Sequence, residues 1–340
     1  MVPSRISSPP DCRPLLADAD DLTVVFQPVV DLATGAVVGY QALARFPGTA
    51  GPDVWFAAAA DAGLAARVEA LLVHKALSRL PGLPEGCFLL VPVRASLLGT
   101  DPVREAFAVR PHLDGVLVEI RPDGTAADAR AVAALRARGA AIAVAADAPQ
   151  PPWAQQPDVV VLDRETVAAS APSSGAVPGA PRVLVDRIET PQDLTAALRC
   201  GGAAGRGWVF GAPSAVPGPL PASVTELLGT RRARLRLAAP VLPLVRPVHR
   251  IPVSGRGSAP AVEVDDQGAP VALLVADPAG ATWRRPVSLR VPPDAAAGET
   301  LRRALSRPAG QRHDPVLCVD EDGRPLGVLR VADLARVTAP

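Results

Sequence analysis

The chain has 340 residues, a formal net charge of +1 and four cysteines. That length allows one large domain of about 200–250 residues beside a smaller one. The near-neutral charge gives no electrostatic reason to expect nucleic acid or an anionic membrane as partner. Lys75 is the only lysine among 35 basic residues, and aromatics make up 3%, so the core must be built mainly from Ala, Val and Leu. Cys12, Cys87, Cys200 and Cys318 are far apart and form no CxxC or Cys/His cluster, which argues against zinc and for reduced thiols. No apolar run approaches the roughly 20 residues of a membrane span. The first residues lack the hydrophobic segment of a signal peptide, so a disordered tail over residues 1–15 and a soluble, cytoplasmic protein are expected.

In chain order, two apolar runs flank Asp31-Leu32-Ala33-Thr34-Gly35, a turn-forming pentad that predicts a β-hairpin. Ala57 to Leu80 reads as one amphipathic helix, with Leu64, Val68, Leu71, Leu72 and Ala76 on one face. Val116 to Ile120 is a buried-strand candidate that carries Glu119 near its end. Thr125 to Asp128 reads as a capping box opening a helix that stops at Gly139. Ala141 to Ala145 follows as a strand. Thr190-Pro191-Gln192-Asp193 is a second helix start, and that helix is expected to end at Gly201-Gly202. Trp208 to Gly211 reads as the next strand.

Repeated strand–helix–glycine–strand units over residues 16–216 fit a (β/α) barrel or, on periodicity alone, an open doubly wound sheet. Residues 217–245 read as a connector with a helix around Ser223 to Leu237. An internal repeat follows. Val262-Glu-Val-Asp265-Asp-Gln-Gly268-Ala-Pro270 recurs 55 residues later as Leu317-Cys-Val-Asp320-Glu-Asp-Gly323-Arg-Pro325. Each copy predicts a strand, an Asp-x-x-Gly turn and a second strand.

The hairpin sequence is specific. Phe26-Gln27-Pro28-Val29-Val30-Asp31-Leu32, Thr34-Gly35, Val37-Val38, Gly39 and then Gln41-Ala42-Leu43-Ala44-Arg45 closely resemble the opening of EAL domains, the phosphodiesterases that linearise cyclic di-GMP. The resemblance covers about residues 22–213. It implies an α/β fold, a (β/α)8-type barrel of the EAL kind. It also marks departures. The signature glutamate is Gln41, and the ligand asparagine, two residues before the usual serine, falls at Pro92. Glu119 keeps the next carboxylate, while Arg121-Pro122 replace Thr-Glu. The paired aspartates fall at Ala145-Ala146, with Asp147 one residue late, and the catalytic lysine falls at Val161 beside a retained Asp163. Asp186 and Glu189 stand for the later pair of glutamates, and Arg206-Gly207-Trp208 stand for Gln-Gly-Tyr, so Glu119 reads equally as a ligand or as a strand-end carboxylate paired with Arg121 or Arg206. The loop 148–153 looks shortened, and Trp153 and Trp208 are expected to pack.

These departures imply no catalytic residues and no metal, with Mg or Mn required only if a residual phosphodiesterase works through Glu119, Asp163, Asp186 and Glu189. Gln27 and Arg45 are retained, so cyclic di-GMP is the implied ligand, with Gln27, Gln41, Arg45, Glu119 and Glu189 as candidate contacts. The repeat in turn resembles a pair of CBS motifs, which implies a smaller C-terminal α+β domain over residues 246–338. The nucleotide-binding run of that family survives in part as Gly327-Val-Leu-Arg330-Val-Ala-Asp333, leaving Asp333 as a candidate adenine-nucleotide contact. The first copy loses the run around Asp277-Pro278. The expected function is a non-catalytic regulatory protein acting through an unidentified protein partner, with a homodimer through the CBS pair or the barrel as a candidate assembly. The alternatives are a residual phosphodiesterase and a ligand-free scaffold.

Overall fold

The computed structural model describes residues 10–146, 157–169, 181–253, 255, 259–276 and 281–339. Asp147, the loop 148–153 with Trp153, Asp277-Pro278 and residues 1–9 of the expected tail lie outside the described residues. The chain divides into two compact units, Met1–Leu228 and Gly229–Pro340.

The first unit begins with a short helix, α1 (Arg13–Ala17), and then a hairpin of β1 (Thr23–Asp31) and β2 (Val37–Arg45). Its turn forms as the sequence predicts. Asp31 Oδ1 accepts from the amides of Ala33 and Thr34 at 2.9 and 2.7 Å, and Gly35 sits at φ 80°, where a Cβ is disfavoured. After the hairpin come α2 (Pro52–Asp61), α3 (Ala65–Arg79), β3 (Phe88–Arg94), α4 (Asp101–Ala108), β4 (Val116–Arg121), α5 (Ala129–Ala137) and β5 (Ala141–Ala145). Then follow β6 (Val159–Leu162), α6 (Arg164–Ala169), β7 (Arg182–Val185), α7 (Pro191–Arg199) and β8 (Ala204–Gly205). The eight strands close into a barrel in sequence order. Strands β2 to β8 run parallel, and β1 alone runs against them, pairing with β2 on one side and β8 on the other. Closure settles the choice between barrel and open sheet.

Side chains of Val29, Leu90, Leu117, Ala143, Val161 and Leu184 fill the barrel interior. A larger cluster, including Leu72, Val91, Phe107, Val118 and Ile142, packs strands against surrounding helices. Branched apolar side chains suit both layers, because each strand must meet both an interior and a helix.

Four local expectations are corrected. The single helix over Ala57 to Leu80 is two helices, because Gly63 takes φ 68° between α2 and α3. The cap of α5 is Asp128, whose Oδ1 accepts from the Arg130 amide at 2.8 Å, so Thr125 does not open the helix. Trp208–Phe210 is a 3-10 turn, not a strand, and the barrel strand ends earlier at Gly205. Trp208 does not pack away: it is 61% exposed. The Thr190 start is found as expected, with a reciprocal capping box to Asp193. The four thiols are unbridged, and no helix among the described residues is long and apolar enough to cross a membrane.

Helix α8 (Ala222–Ala238) occupies the expected connector. The second unit holds β9 (His249–Pro252), β10 (Ala261–Val264), β11 (Pro270–Ala276), β12 (Thr282–Pro286) and β13 (Arg290–Val291). It continues with α9 (Ala297–Leu305), β14 (Val316–Val319), β15 (Pro325–Leu329) and α10 (Val331–Thr338). The repeat is structural. Asp265 Oδ1 accepts from the amides of Gln267 and Ala269, and Asp320 Oδ1 accepts from those of Asp322 and Arg324, so both hairpins turn in the same way. Gly268 and Gly323 have φ of 81° and 78°. Each hairpin carries its register shift at the equivalent place, before Val264 and before Val319. Val262 and Leu273 from one hairpin form a single buried cluster with Leu317 and Val328, their counterparts 55 residues on. The copies differ outside the hairpins. The second follows the order β13, α9, β14, β15, α10, whereas the first has no helix among its described residues and continues into β12.

Candidate functional site

Strand register decides which residues share the barrel mouth. Gln27 pairs with Gln41, Gln41 with Leu90, Pro92 with Glu119, and Glu119 with Ala143, so these side chains lie on the face of the interior residues. Gln27 and Gln41 are 8% and 3% exposed, and Gln41 lies in the middle of β2. Glu119 sits near the end of β4 and Asp163 just past the end of β6.

A fully buried arginine organises the mouth. Arg206 follows β8 directly, and its guanidinium donates to two carboxylates from other strands. Its Nη1 and Nη2 lie 2.5 and 2.9 Å from the two oxygens of Glu119. Its Nε and Nη2 lie 2.8 and 2.7 Å from those of Asp186. The backbone fixes this placement: the Arg206 amide donates to Val185 O, and its carbonyl accepts from the Ile188 amide at 3.0 Å. Gly207 then takes φ 150°, and a Cβ there would lie 2.3 Å from the Ile188 carbonyl oxygen. Only glycine permits this approach. Arg187, at φ 57°, is the one non-glycine residue among the described residues held in the left-handed region, and its amide donates to Asp186 Oδ1 at 2.7 Å.

The remaining carboxylates of the mouth are paired in the same manner. Asp163 meets Arg187 at 2.8 Å and Glu189 meets Arg164 at 3.1 Å. Glu69, buried on α3, accepts from the Arg94 amide at 2.9 Å and faces its guanidinium at 3.4 Å. Arg121 stands 3.9 Å from Glu119. Burial pushes Asp186 upward, but hydrogen bonds and charge from Arg206 outweigh it and hold the carboxyl below its usual range. Asp163 is also lowered, first by the Thr166 amide and then by Arg187. Arg206 is raised, since Glu119 and Asp186 overcome the cost of burying its charge. Burial drives Glu69 the other way, above the usual carboxylate range.

Proline and alanine complete the wall. Pro92, Ala145, Ala146 and Val161 have no side-chain donor atom for a cation, and among the described residues no group of three His, Cys, Asp or Glu side chains is arranged to hold a metal ion. The structure thus brings Glu119 and Asp186 together on Arg206 and places Glu189 on Arg164, apart from them. Arg45 lines a neighbouring cavity of about 410 Å³ with Arg94, Arg121, Glu69, Phe56 and Pro92. Arg94, Arg164 and Arg187 were not among the candidate residues. The only signal for them was arginine beside the motif carboxylates, which reads equally as surface charge.

The family model of the EAL domain matches residues 13–146. That segment is similar to an EAL domain. The matched segment ends at β5, so Asp163, Asp186, Glu189 and Arg206 lie beyond it. Among solved structures, the chain is similar to the Bacillus subtilis YkuI protein, which has an EAL domain and was solved in complex with substrate c-di-GMP and calcium. The TM-score is 0.53 at 19% identity, covering 66% of this chain and 62% of that one. It is also similar to the EAL domain of Xanthomonas citri FimX in complex with c-diGMP, with a TM-score of 0.48, 18% identity, and 61% and 92% of the two chains covered. Klebsiella pneumoniae BlrP1, in a manganese/cy-diGMP complex, gives 0.47 at 21% identity, with 59% and 58% covered. No curated protein matches. The chain therefore spans about three fifths of the length of YkuI, and a likeness at 19% identity shows the barrel fold alone.

In the second unit, Asp333 sits with one oxygen 2.7 Å from Arg246 and the other 3.3 Å from Arg336. A separate cavity of about 540 Å³ in that unit is lined by Trp283, Arg285, His313, Asp314 and Arg330, and does not include Asp333.

Proposed function

We propose that this chain is a non-catalytic EAL-domain regulatory protein of the cytoplasm that takes cyclic di-GMP as its signal and transmits it through protein–protein contact. One observation carries the reading: Arg206 stands between Glu119 and Asp186 with all four of their oxygens engaged. Two divalent cations clamping a phosphodiester need free, anionic oxygen donors in near-octahedral arrangement. Here the donors face a buried guanidinium, and the wall positions around them are Pro92, Ala145 and Val161. The donor set does not suit the metal pair of the enzymes.

The residual phosphodiesterase reading needs Glu119, Asp163, Asp186 and Glu189, and each of these has an arginine partner. Ligand capture is supported by Arg45 at an open cavity, by Gln27 and Gln41 inside the mouth, and by the cyclic di-GMP complex of the similarly folded YkuI protein. For the second unit the repeated hairpins and the β–α–β–β–α order of the second copy support a CBS-type pair, serving as a dimerising or partner-facing module. Asp333, held by Arg246 and Arg336, is then a structural residue and no nucleotide contact.

The test is incubation with cyclic di-GMP and Mn²⁺, following both binding and linear dinucleotide. Saturable binding without product supports the receptor. Steady release of linear dinucleotide would return the chain to the phosphodiesterases, and absence of both binding and product would leave an interaction scaffold.

A further inference from the structure

Arg94 and Arg121 are direct neighbours in register at the ends of β3 and β4. Both line the cavity of about 410 Å³, together with Arg45 from the end of β2. Like charges side by side on one sheet face repel each other unless something anionic lies between them. The protein neutralises this set only in part. Glu69 is engaged by Arg94, which also lies over the Phe56 ring at 5.2 Å. The acid nearest Arg121 is Glu119 at 3.9 Å, and its oxygens are already held by Arg206. Arg45 has no carboxylate partner among the described residues; its guanidinium donates to the Ala44 carbonyl. Helix α2 also begins at this cavity with Pro52 and Asp53, and Gly51 provides no side-chain cap for it.

We infer that Arg94 and Arg121, with Arg45, form a guanidinium clamp that holds the phosphoryl oxygens of an anionic ligand in this cavity. Arginine suits this role because its planar fork offers paired N–H donors to a phosphate and stays charged. Arg94 stands at a serine and Arg121 at a threonine of the EAL pattern, so the clamp is a feature of this chain's own sequence. The identity of the ligand as a cyclic dinucleotide rests on the function proposed above, whereas the clamp rests on the arrangement of the three arginines. Arg206 contributes indirectly: by occupying Glu119 it leaves Arg121 available.

The experiment titrates the full chain with cyclic di-GMP in chelator, and separately follows its thermal stabilisation by inorganic pyrophosphate. The variants are Arg121→Gln and the double variant Arg94→Gln/Glu69→Gln, which leaves no buried carboxylate without a partner. Wild type should bind equally with and without chelator, and each variant should weaken binding about tenfold or more, the usual effect of losing a charge-assisted hydrogen bond. Cyclic di-GMP binding that both variants leave unchanged overturns the clamp and keeps the receptor reading. If wild type does not bind cyclic di-GMP, the receptor reading fails by itself. In that case stabilisation by pyrophosphate that is lost in Arg121→Gln upholds the clamp, and no stabilisation of wild type rejects it.

Discussion

Replacing Arg206 with glutamine, the residue of the EAL pattern at this position, tests the arrangement on which the proposed function depends. The substitution removes one cation and four hydrogen bonds from Glu119 and Asp186. The Glu119 side chain is 8% exposed and the Asp186 side chain 27%, so Glu119 is left poorly solvated and Asp186 only partly so. Breaking a buried ion pair by removing one partner costs about 3–5 kcal/mol. For a unit of this size each kcal/mol shifts the melting point by about 2–4 °C, so a loss of roughly 6–20 °C is expected for the barrel transition. The two carboxylates then become available to a cation. Millimolar Mn²⁺ should restore part of the loss in Arg206→Gln, since a ligand at 100 times its Kd stabilises by about 2.7 kcal/mol, and should leave wild type unmoved. Differential scanning calorimetry with and without Mn²⁺ reads both effects. Arg206→Gln melting like wild type, or wild type gaining from Mn²⁺ as the variant does, would refute the reasoning.

Three further outcomes are expected. Asp123, Asp163, Asp186 and Asp193 all have lowered pKa values, so their stabilisation is present above the ordinary aspartate value of about 3.9 and is lost as pH falls through the folded values. Glu69, raised by burial, has the opposite sign and favours folding below the ordinary glutamate value of about 4.3. Unfolding in denaturant should therefore show stability rising up to about pH 4 and then a shallow decline that Glu69→Gln removes. Gly207→Ala should destabilise by about 2 kcal/mol or more, because its Cβ meets Ile188 backbone atoms at 2.3 and 2.4 Å, and urea unfolding measures it. Asp265→Ala and Asp320→Ala should each cost about 1 kcal/mol and match one another, since both carboxylates accept two turn amides in the same geometry. Unequal losses in paired calorimetric scans would refute that equivalence.

Much of the fold can be read locally. The hairpin follows from Asp31 and Gly35 between two apolar runs, the α7 start from Thr190, Pro191 and Asp193, and the paired hairpins of the second unit from residues repeated at a spacing of 55. These signals depend on backbone preference and hydrogen bonds within a few residues, so no distant contact is needed to interpret them. Elsewhere local preference is ambiguous. Gly63 could have continued a helix or broken it, and Trp208 to Gly211 is apolar enough for a strand yet forms a turn beside Gly207.

The site was legible as a set of losses, at Gln41, Pro92, Ala145 and Val161, and Arg121 or Arg206 was legible as a partner for Glu119, but the choice between them and the part of Asp186 were not. By itself the sequence determined the alternation of strand and helix, the turn chemistry and the motif positions that carry no donor. Only the tertiary structure decided that Arg206 serves Glu119, 87 residues away, as well as Asp186, and that Arg94 and Arg121 stand side by side. The physical reason is that periodicity reports which face of one strand is buried. Which charges meet across a mouth depends on barrel closure and on the register of eight strands, and the cost of burying those charges becomes favourable only once closure has brought their partners within hydrogen-bond distance.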